Sequence, residues 1–193
     1  EGRRAEVREA LVAAATRLRV GPGDDPTTDV CPMVSAEARQ RLVQAVERGA
    51  ADGGELLLDG REGGSAPADG GPAGTVLGPT IAVAEPESEL ARDELFGPLL
   101  TVVDAPDLDA ALEFLNGSRY GNAGAIFTRS GEAARQYRYG AEAGMLGVNI
   151  GVPAPVAWFP FAGWKDSMAG DLHANGMDAV DFYTRKKVVT SRW

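Results

Sequence analysis

Three side chains stand out as candidates for chemistry from their residue type and sequence context: Cys31, Glu94 and His173. Cys31 lies between a polar turn and a predicted helix, and a helix N-terminus can activate a thiol. Pro32 intervenes and no histidine is near in sequence, so a structural or incidental cysteine is favoured. His173 lies in the loop sequence GDLHANG, where a hydrogen-bonded structural role is favoured over that of a general base.

Glu94 and Phe96 belong to the segment ELFGP, which leads into an apolar strand predicted at 99–103. At the end of a strand in an open α/β sheet, the carboxylate could accept hydrogen bonds from ligand hydroxyls. The ring beside it could pack on a flat ligand ring. The alternative is a surface turn with a buried phenylalanine, and the residues alone favour that alternative.

The elements that must position these side chains follow from apolar spacing. Helices are predicted at 6–18, from Ser35 to about 49–54, at 107–115 and at 132–139, and strands at 56–58, 80–84, 99–103, 123–127 and 145–150. Helices alternating with apolar strands predict an α/β fold with a parallel sheet covered by helices. The glycine-rich stretch at 60–74 contains no lysine and predicts a surface loop rather than a phosphate site.

Composition narrows the class of protein. The formal net charge of −9 argues against a nucleic-acid partner. No apolar run is long enough for a membrane helix, and the charged N-terminus predicts no signal peptide. One cysteine and one histidine exclude a disulfide framework, make a Cys/His zinc site unfavourable and suit a reducing cytoplasm. The chain begins with Glu, as a processed, trimmed or partial gene product would.

Several segments resemble the aldehyde dehydrogenase family, in the family's order along the chain. They are LRVGPGDDPTTD with PMVSAEARQRL, LGPTI, DELFGPLLTV, NGSRYG and AIFTRS. The run at 144–193, which contains GVNIGVPAP and GDLHANG, is similar to the end of the CoA-acylating methylmalonate-semialdehyde type. The resemblance covers nearly the whole chain and corresponds to the C-terminal part of the family.

The resemblance implies roles for particular residues. Glu94 matches the glutamate that hydrogen-bonds the nicotinamide ribose, and Phe96 matches the aromatic residue beside the nicotinamide. A later stretch matches the lining of the aldehyde pocket, and the predicted pocket residues are Asn149, Pro153, Phe159 and Phe161. Two positions depart from the family's glycines, Ala162 and Asp166, where a glycine would tolerate positive φ.

The resemblance also implies a reaction. Family members oxidise an aldehyde through a cysteine thiohemiacetal and pass hydride to NAD; in this subfamily CoA accepts the acyl group, so methylmalonate semialdehyde yields propionyl-CoA. The family's nucleophilic cysteine, general-base glutamate and NAD-binding Rossmann domain precede the matched segment. Cys31 takes the place of a family glycine, so no catalytic residue and no metal ligand is assigned in this chain.

For domain organisation we expect a catalytic-domain-like α/β unit at 1–182 and an oligomerisation strand at 183–193 that pairs across subunits. The expected partners are other copies of the chain, or a separate N-terminal domain, with no nucleic acid and no membrane. From the residues alone, pairing of the tail with another subunit and an ordinary edge strand are equally favoured.

Three hypotheses about function follow. The chain is part of a full dehydrogenase and inactive by itself, a stand-alone pseudoenzyme or assembly module, or a repurposed non-redox enzyme that uses the old pocket. The third predicts a ligand-sized pocket with a titratable pair of shifted pKa.

Overall fold

The computed structural model describes residues 4–61 and 74–193, which belong to two compact units, Glu1–Asp104 and Ala105–Trp193. Each unit combines helices with a parallel strand pair, so the predicted α/β class is confirmed. The expected division at 182/183 stays a prediction. Most of the loop predicted at 60–74 lies outside the described residues.

In its described residues, the first unit contains a three-stranded sheet and three helices. Its elements are α1 (Arg4–Ala15), α2 (Ala36–Ala51), β1 (Glu55–Leu58), β2 (Thr80–Val83), α3 (Glu89–Arg92) and β3 (Leu99–Val102). The strand order is β1-β2-β3. The pair β2/β3 is parallel as expected, whereas β1 is an antiparallel edge strand with a register irregularity between Leu56 and Leu58.

The core of the first unit forms under α2. The Ser35 hydroxyl caps this helix by accepting a hydrogen bond from the amide of Ala38 at 3.1 Å. Along α2, Leu42, Ala45 and Val46 are each 1% exposed. Burial of this apolar face stabilises α2 in its position against the core residues that pack on it.

The second unit combines two strand pairs with three helices. Its elements are α4 (Leu108–Gly117), β4 (Tyr120–Gly121), β5 (Ala123–Ile126), α5 (Gly131–Gly140), β6 (Met145–Val148), β7 (Trp164–Lys165) and α6 (Asp178–Tyr183). The pair β5/β6 is parallel, and β4/β7 is antiparallel. Leu112, Tyr137 and Ala141 form its core cluster between α4 and α5.

The tail after α6 forms no strand within the described chain, and residues 184–193 are all exposed. The predicted oligomerisation strand therefore stays a prediction. No helix among the described residues is long and apolar enough to cross a membrane.

Candidate functional site

The segment ELFGP forms a tight turn between α3 and β3. Leu95 points inward and packs against two core clusters. Gly97 passes so close to α2 that a Cβ built on it would lie 2.3 Å from Cδ2 of Leu42. The carbonyl of Pro98 accepts a hydrogen bond from the amide of Thr80 at 2.8 Å, which joins the turn to β2. Three contacts therefore fix the position of the turn: the packing of Leu95, the close approach of Gly97 to α2 and the hydrogen bond to Pro98.

Glu94 and Phe96 flank the partly buried Leu95, and both are exposed to solvent. Phe96 is 81% exposed and has a φ of 46°, a conformation that is uncommon for a bulky residue. The alternative of a surface turn with a buried phenylalanine is thus wrong, because Phe96 is exposed and Leu95 is the side chain that packs against the core. Strained residues held by a rigid surrounding are typical of ligand sites.

Both side chains line one open cavity of about 350 Å³ within the first unit. Its polar side chains are Asp93, Glu94 and Thr101, and Phe96 adds a flat apolar surface. Carboxylates accept hydrogen bonds from hydroxyl groups. No Lys or Arg is found among the described residues of the lining. These residues therefore fit a hydroxyl-bearing group with a flat ring, but not a pyrophosphate.

Helix α3 supports the cavity and is itself pinned to α2. Arg48 donates two hydrogen bonds to the Glu89 carboxylate, at 2.9 and 2.8 Å. This hydrogen bonding lowers the pKa of Glu89. The hydroxyl of Thr101 donates to the carbonyl of Leu90 at 2.7 Å, which ties α3 to β3 as well.

Asn149, the first predicted pocket residue, follows β6 in the second unit and has a φ of 57°. Its side-chain oxygen accepts from the amide of Thr128 at 2.9 Å, and its side-chain amide donates to the carbonyl of Thr128 at 3.0 Å. Both polar ends of the side chain are therefore committed to the backbone. Asn149 positions the loop that follows it.

The other predicted pocket residues lie on that loop. Phe159 and Phe161 are 62% and 46% exposed, and Pro153 is half-buried against Gly147. Gly176 supports the loop from below: its φ is 67°, and a Cβ on it would lie 2.8 Å from the carbonyl carbon of Phe159. The loop thus presents two aromatic rings on a backbone that is held in place.

The two departures from the family's glycines are accommodated. Neither Ala162 nor Asp166 has positive φ among the described residues, whereas Lys165 does, at 53°. Asp166 pairs with Arg119 at 2.9 Å, and the Lys165 ammonium donates to the carbonyl of Asn116 at 2.7 Å. These contacts hold the turn without the glycines.

Among the described residues, Cys31 and His173 do not pair with each other or with the cavity of Glu94 and Phe96. Cys31 is free and exposed. Nδ1 of His173 lies 2.8 Å from an Asp178 carboxylate oxygen, and Nε2 is buried with no hydrogen-bond partner in the described part of the chain. Asp178 was not predicted from the sequence, although it lies five residues after His173, at the start of α6. The described residues also contain no cluster of metal-ligating side chains.

Comparison with known proteins gives these features a family context. The model of the aldehyde dehydrogenase family matches residues 1–189. Malonate-semialdehyde dehydrogenase 1 of Geobacillus kaustophilus (strain HTA426) is 46% identical over 184 residues, which is 95% of this chain and 37% of that protein. Malonate-semialdehyde dehydrogenase 2 of Bacillus anthracis is 46% identical over 186 residues, 96% of this chain and 37% of that protein.

Solved structures agree with these relatives. A methylmalonate-semialdehyde dehydrogenase from Oceanimonas doudoroffii is 36% identical with a TM-score of 0.91, covering 98% of this chain and 38% of that one. A structure from Sinorhizobium meliloti 1021, assigned as a methylmalonate-semialdehyde dehydrogenase and complexed with NAD, is 37% identical with a TM-score of 0.92, covering 100% and 39%. The chain thus spans 37% of the length of the curated relatives given above, and it belongs to the aldehyde dehydrogenase family.

Proposed function

We propose that this chain forms the C-terminal part of the catalytic unit of an NAD-dependent, CoA-acylating dehydrogenase of malonate or methylmalonate semialdehyde. The observation that carries the proposal is the turn around Leu95, which exposes Glu94 and Phe96 on a single cavity. The similarity to malonate-semialdehyde dehydrogenases at 46% identity supports the substrate class.

In this proposal Glu94 accepts hydrogen bonds from the hydroxyls of the nicotinamide ribose, and Phe96 packs against the nicotinamide ring. NAD supplies the hydride acceptor when it is bound. The partly buried Leu95 and the close approach of Gly97 to α2 fix the backbone that carries both side chains. The chain's own contribution is therefore orientation, which depends on a rigid base.

In this proposal the loop at 149–161 lines the aldehyde pocket. Phe159 and Phe161 supply apolar walls that exclude water, and Pro153 restricts the backbone between them and β6. Asn149 acts through the Thr128 backbone and does not need to touch the substrate. The acyl acceptor in this proposal is CoA.

In this proposal the chain supplies the nicotinamide-riboside part of the cofactor site, which we call the half-site, and not the pyrophosphate part. Its described lining offers no cation for the pyrophosphate. No described cysteine is paired with a base, as covalent catalysis requires. We therefore expect the isolated chain to be inactive, with the remaining groups supplied by a further segment or domain. An exposed free thiol such as Cys31 suits the reducing cytoplasm as its location.

A calorimetric titration of the 193-residue chain with NAD tests the half-site. We expect no heat of binding at micromolar cofactor, because the contacts to the pyrophosphate and adenosine are missing. Micromolar affinity that is lost in Glu94→Gln would show a complete site in this chain, and the half-site account would then be wrong.

A further inference from the structure

A second cavity, of about 460 Å³, lies in the second unit alongside α5. Apart from Val148 of β6, its lining residues come from one stripe of α5 with the spacing i, i+3, i+4, i+7 and i+8; they are Gly131, Ala134, Arg135, Arg138 and Tyr139. Residues at this spacing share a helix face. The first two are small, so the groove is open at the N-terminal end of α5.

The two arginines of this groove carry uncompensated charge. Neither Arg135 nor Arg138 forms an ion pair within the part of the chain that the structure describes, and no carboxylate lines the groove. Elsewhere in the same acidic chain, Arg48 and Arg119 each pair with a carboxylate. Two guanidinium groups one helical turn apart can direct several N–H donors at one anion, and phosphate offers enough oxygens for both.

Tyr139 adds a flat surface to the charged groove. Its side chain is 77% exposed, and the guanidinium of Arg138 lies over the ring at 5.3 Å from its centroid. An exposed tyrosine face can stack on a planar ligand ring. Val148 and Ala134 add apolar surface to the lining of the groove.

We propose that this groove binds a small phosphate monoester that carries a planar ring, with the phosphate between Arg135 and Arg138 and the ring over Tyr139. The volume is within the range of ligand pockets. The site uses none of the residues assigned to the dehydrogenase cavity, so it is independent of the proposed function.

The test is calorimetric titration of the 193-residue chain at low ionic strength with phenyl phosphate, inorganic phosphate and phenol. We expect the affinity to fall in that order. Phenyl phosphate should bind at least about 10-fold more weakly to R135Q/R138Q, since charge-assisted hydrogen bonds are lost. Tyr139→Leu should weaken phenyl phosphate and leave inorganic phosphate unchanged.

Two matched controls separate this site from general charge effects. Arg41→Gln removes an exposed arginine from α2 in the first unit, and Glu94→Gln alters the other cavity. Neither should change binding of phenyl phosphate. Equal affinity in wild type and R135Q/R138Q, an equal loss in Arg41→Gln, or no binding of phenyl phosphate at millimolar concentration would each overturn the proposal.

Discussion

Gly97 shows how one residue sets the geometry of the cofactor turn. A Cβ at this position would lie 2.3 Å from Leu42 and 3.0 Å from Met33, both of which are buried. The absence of a side chain lets the turn approach α2 closely. The backbone is therefore fixed at Gly97, next to the exposed Phe96.

Gly97→Ala should destabilise the fold by about 1–3 kcal/mol, because the added methyl overpacks a filled core. Thermal or chemical unfolding measures the change. Gly117→Ala is the control, since a Cβ at that position meets nothing within 4 Å. If both substitutions have the same small effect, the close approach to α2 does not constrain the turn.

Asn149 has a comparable role on the loop at 149–161, where it positions the backbone. Asn149→Ala should cost about 1–2 kcal/mol, because two hydrogen bonds to Thr128 are lost and alanine is strained at a φ of 57°. Asn149→Gly loses the bonds but not the conformation, so it should be the more stable of the two variants. Chemical denaturation gives both values, and an alanine variant as stable as wild type would contradict the positioning role.

The sequence indicated Glu94, Phe96 and Asn149 as site residues but not the contacts that position them. Glu94 and Phe96 were predicted as a pair, and the structure places both on one cavity. The inward Leu95, the positive φ of Phe96 and the Asn149–Thr128 bonds arise from contacts between distant segments. Local residue patterns contain no information about such contacts.

Among the elements, the short helix α3 determines where the cofactor turn begins. It has four residues, too few to be stable by itself. The Ser88 hydroxyl accepts from the amide of Leu90 at 3.3 Å, and the Arg48–Glu89 pair joins the helix to α2. The sequence did not predict α3, because its stability comes from these tertiary contacts rather than from apolar spacing.

The Arg48–Glu89 pair should give a small pH-dependent stability. The pKa of Glu89 is lowered from 4.5 by the hydrogen bonds from Arg48, so its contribution is complete above that value and is lost as the pH falls through the lowered pKa. Glu89→Gln should therefore cost about 0.5 kcal/mol at pH 7 and nothing once Glu89 is protonated.

Urea denaturation of wild type and Glu89→Gln across acidic pH measures this difference. Glu87→Gln is the control, because Glu87 is 3.9 Å from Arg92 and its side chain is 77% exposed. A Glu89→Gln cost that does not change with pH would show that the carboxylate charge does not stabilise α3.

The longer elements were predicted well. The strands at β2, β3, β5 and β6 and the helix capped by Asp107 lie where apolar spacing and cap residues indicated. The two-residue strands β4 and β7 were not predicted, since two residues are too short to show a period. The antiparallel edge strand β1 was also outside the expected parallel pattern.

In the molecule as a whole, the tail at 184–193 is exposed and has no packing partner within the described chain. Val188 and Trp193 are exposed, and the tail pairs with no strand of the described chain. An exposed backbone segment that pairs with no strand of its own chain can add to a sheet edge of another subunit. We propose that the tail mediates this assembly.

Deleting residues 184–193 should shift the chain from oligomer to monomer without unfolding it, because none of these residues is buried. Sedimentation velocity measures the change. Arg185→Gln, on the same tail, should leave the association unchanged, since strand pairing relies on the backbone. A full chain that sediments as a monomer at high concentration would contradict the assembly role.

In the proposed enzyme, Glu94 and Phe96 contact the nicotinamide riboside, and a further segment supplies the other contacts to NAD. The most direct measurement places residues 1–193 into malonate-semialdehyde dehydrogenase 1 of Geobacillus kaustophilus, in place of the matching 37% of that protein, and follows NADH formation with malonate semialdehyde and CoA. We expect activity that falls at least about 10-fold in kcat/KM with Glu94→Gln. A folded chimera that reduces no NAD, or one whose rate is unchanged by Glu94→Gln, would contradict the account.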